Sequence, residues 1–184
     1  MKLIILRHGE TDYNAKGIMQ GKTNTILNQN GINNALKIRE ELEKYNIDYV
    51  ISSPLKRAVQ TASIVCDKPM FLDDRLTERD LGLYEGKDIS TYDSKKYGNI
   101  KNVCTENGVE AITDVIERTF DLLDEIVTLD KTVLLVSHSA VLKVVPYYFE
   151  GLPQDNMVEN YKLQNTEYKV FEIEKRKINE NISS

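Results

Sequence analysis

The chain of 184 residues contains only two histidines, His8 and His138, and each stands just after a short apolar run. Leu3-Ile4-Ile5-Leu6 leads into Arg7-His8-Gly9, and Val133-Leu134-Leu135-Val136 leads into Ser137-His138-Ser139. An uninterrupted apolar run of this length reads as a strand covered on both faces. Both imidazoles are therefore expected at the carboxyl ends of strands, where open α/β sheets bind ligands. A third run, Asp48-Tyr49-Val50-Ile51, is followed by Ser52-Ser53-Pro54-Leu55-Lys56-Arg57, which sets Arg57 on the first turn of the next helix. Arg7, His8, Arg57 and His138 together predict a small cationic pocket in a chain that is acidic overall, with 24 Lys plus Arg against 29 Asp plus Glu and a net charge of −5. Its natural guest is a phosphoryl group, because guanidinium forks match phosphate oxygens in geometry and charge. Backbone N–H groups at the start of the helix after Ser53 add to the attraction.

The elements that hold these residues follow from hydrophobic spacing. Residues 29–45 place Ile32, Ala35, Leu36, Ile38 and Leu42 at helical intervals, predicting a surface helix with one packed face. Ser53 as N-cap and Pro54 in the first turn predict a helix running to about Cys66. Phe71-Leu72 is a weak third strand, and the polar stretch at about 73–107, with turns at Gly82, Gly86 and Gly98, is expected to be a small insertion with a little helix. Residues 111–129 carry Ile112, Val115, Ile116, Phe120, Leu123, Ile126 and Val127 on one face of a long helix. A helix over 140–149 has Pro146 starting or kinking its second half. Alternation over 166–174 predicts a last strand, at an edge, with a polar tail from about 175. Strands alternating with helices predict a single α/β domain over 1–184, a three-layer sandwich with a mostly parallel central sheet and helices on both faces.

The residues also resemble a family. Leu6-Arg7-His8-Gly9-Glu10-Thr11 with Asn14 resembles the signature of the histidine phosphatase superfamily, whose fold is phosphoglycerate mutase-like. Further matches follow in order along nearly the whole chain: Gln20-Gly21, Ser52-Ser53-Pro54-Leu55-Lys56-Arg57-Ala58 with Thr61-Ala62, Leu76-Thr77-Glu78, Gly82 with Tyr84-Glu85-Gly86, and Val136-Ser137-His138. The resemblance implies that His8 is a nucleophile that forms a phosphohistidine intermediate. It implies that Arg7, Arg57 and His138 bind and polarise the phosphoryl group, and that Glu78 is the general acid that later deprotonates water. Neighbouring cations at Arg7, Arg57 and His138 are expected to push the His8 pKa down and keep its imidazole neutral. Asn14, Gln20 and Gly21 match positions that contact phosphoryl group or substrate. Glu10 belongs to the signature without an implied catalytic role, and Glu85 is compatible with a structural one.

Three departures bear on specificity. Ser139 stands where many relatives have glycine, and its side chain narrows the approach to the pocket. Ile18 and Met19 replace a basic and an aromatic residue common in relatives. The paired arginines with which mutase relatives hold a substrate carboxylate have no counterpart between Gly86 and Gly108, although Arg79 after Glu78 is similar to the mutase version of that motif. The reading favoured by the short insertion is a phosphatase acting on a small phosphorylated metabolite. The alternatives are a cofactor-dependent phosphoglycerate mutase and a phosphate-binding module without turnover.

Composition sets the remaining bounds. With 41% hydrophobic and 29% charged residues, nine Gly and four Pro, the chain is an ordinary globular sequence. No basic stripe for nucleic acid is visible, and no segment approaches the ~18 apolar residues of a spanning helix. Met1-Lys2 and four apolar residues are too short for a signal-peptide core, so a cytoplasmic location is expected and the Asn181-Ile182-Ser183 sequon is disregarded. Cys66 and Cys104 form neither a disulfide framework nor a zinc site. Gly17-Ile18-Met19-Gln20-Gly21-Lys22-Thr23 has the wrong spacing for a nucleotide phosphate loop. The expected chemistry needs no metal and no cofactor.

Overall fold

The computed structural model describes residues 1–158 and 161–173. In chain order the strands are β1 (Lys2–Arg7), β2 (Tyr49–Ser52), β3 (Met70–Leu72), β4 (Thr132–Ser137) and β5 (Tyr168–Glu172). The helices are α1 (Asp12–Ala15), α2 (Gln29–Leu42), α3 (Lys56–Val65), α4 (Ser94–Tyr97), α5 (Ile112–Ile126) and α6 (Ser139–Glu150). The expected polar tail from 175 and the sequon lie outside the described residues, as does Glu174 of the expected last strand.

The strands form one sheet in the order β3-β2-β4-β1-β5, parallel except for β5, which runs antiparallel along β1 at an edge. Alternate side chains of each strand feed opposite layers. Leu3 and Ile5 of β1 join Val133 and Leu135 of β4 against α5 and α6, while Ile4, Leu6, Leu134 and Val136 face α2 and α3. This is the three-layer sandwich expected from the apolar runs, and residues 3–6 and 133–136 are almost wholly buried. Each such aliphatic side chain contributes roughly 1.5–3 kcal/mol relative to exposure.

Register places the chemistry. Arg7 pairs with Ser137 across β1 and β4, so His8 and His138 leave the sheet side by side. Ser52 of β2 pairs with Val136, which brings Ser53 to the same edge. The connections of β1 and β4 depart to opposite faces, which opens a crevice between these neighbouring strands.

Three expectations are corrected. The helix after β2 begins at Lys56, with Leu55 as an N-cap that makes no side-chain cap bond. Ser53 lies two residues before that cap, and its hydroxyl accepts from Leu55 N–H at 3.3 Å and from His138 Nε2–H at 2.7 Å across the sheet edge. Leu36 is half exposed, and the packed face of α2 is formed instead around Gly31, Ala35 and Leu42. Gly31 has a steric reason: a Cβ there would lie 2.2 Å from the Glu10 carbonyl oxygen. Finally, Pro146 does not start a second helix, because α6 continues from Ser139 through the buried Pro146 to Glu150.

The stretch 73–107 contains the short α4 and brief 3-10 turns at Asp74–Leu76, Gly82–Tyr84 and Ile89–Thr91, with a further turn at Glu106–Gly108. A stacked Tyr92–Tyr97 pair, with Tyr84 edge-on to both, forms its interior. Backbone bonds between Met19 and Lys87, Gly86 and Met19, and Ile89 and Gly17 strap it to the loop after α1.

Candidate active site

His8 emerges from β1 and is only 2% exposed. Its Nδ1 lies 2.7 Å from the Gly9 carbonyl. A carbonyl oxygen only accepts, so Nδ1 carries the hydrogen and Nε2 of the neutral ring keeps its lone pair. Burial, followed by the charges of Arg57 and Arg7, holds the His8 pKa well below its ordinary value. Desolvation thus exceeds the cationic neighbours that the sequence singled out. The backbone around the ring is bolted in place: Gly9 N–H donates to Thr61 Oγ1, and the Asn165 amide donates to the His8 carbonyl.

Arg57 sits on the first turn of α3, as expected, and is 1% exposed. Its Nη1 donates to the Thr23 carbonyl and its Nη2 to the Gly21 carbonyl, both at 2.8 Å, while Nε donates to His138 Nδ1 at 3.2 Å. Burial lowers the Arg57 pKa to about 10, which leaves it charged at neutral pH. Arg7 is half-buried, and its Nη1 donates to the Leu163 carbonyl. Burial lowers the pKa of both guanidinium groups, and the charge of Glu78, which lines the same cavity, acts in the opposite direction.

His138 differs from expectation. Because Arg57 Nε can only donate, Nδ1 of His138 accepts, and Nε2–H donates to Ser53 Oγ at 2.7 Å. Burial and then Arg57 hold its pKa well below the ordinary histidine value, so the ring is a neutral partner of Arg57 rather than a fourth cation. It packs 5.0 Å from the His8 ring, centroid to centroid, behind the cavity wall.

The cavity has a volume of about 440 Å³, within the range that holds small molecules. Arg7, His8, Asn14, Gln20, Gly21 and Arg57 line one end, with Glu78 and Ser139 beside them. Glu78 Oε1 accepts from Arg79 N–H at 2.9 Å and from Ala140 N–H at 3.1 Å, at the start of α6. Oε2 has, among the described residues, only the longer 3.4 Å contact to Ala140. Asn14 closes a capping box with Thr11, and Gln20 Oε1 accepts from the Thr11 hydroxyl. Gly21 has φ +48°, and a Cβ there would lie 2.0 Å from Glu85 Oε1.

The two acids left open in the sequence are structural here. Glu85 accepts from Lys22 N–H and from Thr23 N–H and hydroxyl, shaping the loop whose carbonyls hold Arg57. Glu10 accepts from Asn28 at the start of α2. Three further contributors are not predicted from the sequence: Ser53 reads there as a cap, Thr61 stands only inside a matched motif, and Asn165 carries no local signal. Among the described residues no three His, Cys, Asp or Glu side chains come together as metal ligands, and no helix is long and apolar enough to cross a membrane.

A ring nitrogen with a free lone pair, two guanidinium groups and a carboxyl around one cavity are groups able to carry out phosphoryl transfer. Known proteins agree. A glucosyl-3-phosphoglycerate phosphatase of Mycolicibacterium vanbaalenii is 33% identical over 172 residues, covering 84% of this chain and 76% of that one. Phosphoglycerate mutase-like protein 4 of Arabidopsis thaliana is 32% identical over 186 residues, covering 94% and 79% respectively. Among solved structures, a phosphoserine phosphatase mutant from Entamoeba histolytica in complex with phosphoserine superposes with a TM-score of 0.82 at 28% identity, over 95% of this chain and 91% of that one. The profile of the histidine phosphatase superfamily (branch 1) matches residues 3–181, and the chain belongs to that superfamily.

Proposed function

We propose that this phosphatase hydrolyses a small phosphomonoester by a two-step route through a phosphohistidine on His8, in the cytoplasm and without a metal. The observation that carries the reading is the His8 tautomer: Nδ1–H is committed to the Gly9 carbonyl, which leaves Nε2 as the nucleophile. Its depressed pKa keeps that lone pair available at neutral pH.

In the first step the Nε2 lone pair forms a bond to phosphorus as the bond to the ester oxygen breaks, and the departing oxygen takes a proton from Glu78 Oε2. Arg7 and Arg57 neutralise charge on the equatorial oxygens. Their positions are set beforehand by carbonyls of Leu163, Gly21 and Thr23, so little reorganisation accompanies transfer. In the second step water gives a proton to the Glu78 carboxylate and attacks phosphorus, the P–N bond breaks, and neutral His8 returns with free phosphate. His138 acts through Arg57, whose Nε it accepts, and Ser53 fixes the tautomer that makes this possible. Asn14, Gln20, Gly21 and Ser139 border the substrate.

The test is phosphate release in EDTA from a panel of phosphomonoesters, with wild type beside His8→Ala. Release by wild type that vanishes in the variant supports the reading. Release that survives in the variant, or that requires an added divalent ion, contradicts it.

A further inference from the structure

Glu78, the acid of the proposed reaction, lies outside every helix and strand, between the 3-10 turns Asp74–Leu76 and Gly82–Tyr84. No regular element fixes its backbone, yet a general acid must stand within hydrogen-bond reach of the oxygen it protonates. The segment is held by side chains from other elements. Before Glu78, the Ser137 hydroxyl at the end of β4 donates to the Leu76 carbonyl at 2.7 Å, and Arg118 Nη1, on α5, donates to the Arg75 carbonyl. After Glu78, the grip belongs to Glu110, just ahead of α5. Its Oε2 accepts from Asp80 N–H at 3.0 Å, its own N–H donates to the Asp80 carbonyl at 2.9 Å, and its carbonyl accepts from Arg79 Nε at 2.7 Å.

The two sides are joined. Arg118 Nε donates to Glu110 Oε1 at 2.9 Å and its Nη2 to Oε2 at 3.3 Å, a two-point ion pair whose side chains are 19% and 16% exposed. A planar fork on a carboxylate fixes direction as well as distance, which a lysine ammonium does not. One guanidinium thus ties residue 75 to the carboxylate that grips residue 80, closing a bracket around Glu78. Neither Glu110 nor Arg118 lines the cavity, so their effect on the reaction passes through the segment they hold.

Building on the phosphatase reading, we propose that Arg118 and Glu110 are positioning residues that aim the Glu78 carboxyl at the departing oxygen. A misplacement of about 1 Å costs up to ~10²-fold in rate. Phenyl phosphate and 4-nitrophenyl phosphate isolate the step, because they share a ring and only the nitrophenolate departs readily without a proton. The readout is kcat/KM, which covers the steps up to departure of the leaving group, for the nitrophenyl compound divided by that for phenyl phosphate. In Arg118→Gln this ratio is expected to rise about tenfold or more, because phenyl phosphate alone loses. Arg118→Lys, which keeps the charge without the fork, is expected to fall in between. With Glu78→Gln already in place, Arg118→Gln is expected to change the ratio by less than about twofold. An equal loss for both compounds, no loss, or an undiminished rise in the Glu78→Gln background overturns the proposal while leaving the phosphatase reading intact. Should Arg118→Gln not fold, the isosteric Glu110→Gln, which keeps the backbone bonds to Arg79 and Asp80, is expected to raise the ratio about threefold or more, and an unchanged ratio overturns the proposal. If Glu78→Gln itself leaves the ratio unchanged, or wild type releases phosphate from neither compound, the reading of the site fails instead. Amide hydrogen exchange then tests the bracket alone: residues 76–80 are expected to exchange about tenfold faster or more in Arg118→Gln with residues 3–6 unchanged, and unaltered exchange over 76–80 overturns it.

Discussion

At one end of the cavity His8, Arg57 and their partners stand on strand ends and on a helix packed against the sheet; at the other, Leu81, Ile89 and Tyr92 stand on turns a few residues long. The first end is buried to within a few per cent, and its polar atoms are tied to backbone carbonyls. The second is a wall in which Ile89 is more than half exposed, held by a tyrosine cluster and a backbone strap. Chemistry common to all phosphomonoesters is thus placed on the part that cannot move without disturbing the sheet. On the proposed reading, discrimination between leaving groups falls to the part that tolerates change.

Variants can break that contrast, beginning at the rigid end. His8→Ala is expected to lower turnover of every phosphomonoester by at least ~10³-fold, read as kcat on several compounds. Arg57→Met removes charge from the phosphoryl site and releases the Gly21 and Thr23 carbonyls, so a loss of ~10²–10³-fold in kcat, similar for all leaving groups, is expected. A loss confined to one substrate would place Arg57 in the specificity wall instead.

Acidification sharpens the contrast without a substitution. Both histidines have depressed pKa values in the folded protein, so below about pH 6.5 the unfolded chain binds protons first. Stability is full above that pH and is lost as pH falls toward the folded values, by up to about 1.4 kcal/mol per pH unit for each imidazole. Urea midpoints between about pH 7.5 and 5.5 read this slope, and a flat profile would mean that the rings are not held neutral. The acid limb of kcat/KM is expected below pH 6.5 for the same reason.

Substitutions in the wall are expected to do less. Gly21→Ala, where wall and phosphoryl end meet, forces a side chain onto Glu85 at positive φ, and about 1–3 kcal/mol of stability should be lost in a urea titration. Tyr97→Phe removes a hydroxyl shared with Tyr84 and Asn107 and should cost about 1 kcal/mol, with kcat changing less than KM.

The same division explains what the sequence disclosed. Strand ends were readable because residues 3–6 and 133–136 are uninterrupted apolar runs, and the only two histidines follow them. A Ser-Pro pair is a genuine helix-start signal, but α3 starts two residues later than the pair implies, and the bond of Ser53 to His138, 85 residues away, has no local sign. The charge of His138 was likewise hidden, since it depends on burial and on Arg57, 81 residues distant. The wall is made of 3-10 turns without hydrophobic periodicity, and Asn165 supports His8 from 157 residues away. Nothing local announces either.

The most direct test is to quench the enzyme during turnover of a phosphomonoester under alkaline, phosphohistidine-preserving conditions and map the phosphoryl group by mass spectrometry. The account requires it on His8 in wild type, and accumulated in Glu78→Gln given p-nitrophenyl phosphate, whose leaving group needs no proton while water is no longer activated. A phosphoryl group on His138, or turnover without any phosphorylated protein in either form, would contradict it.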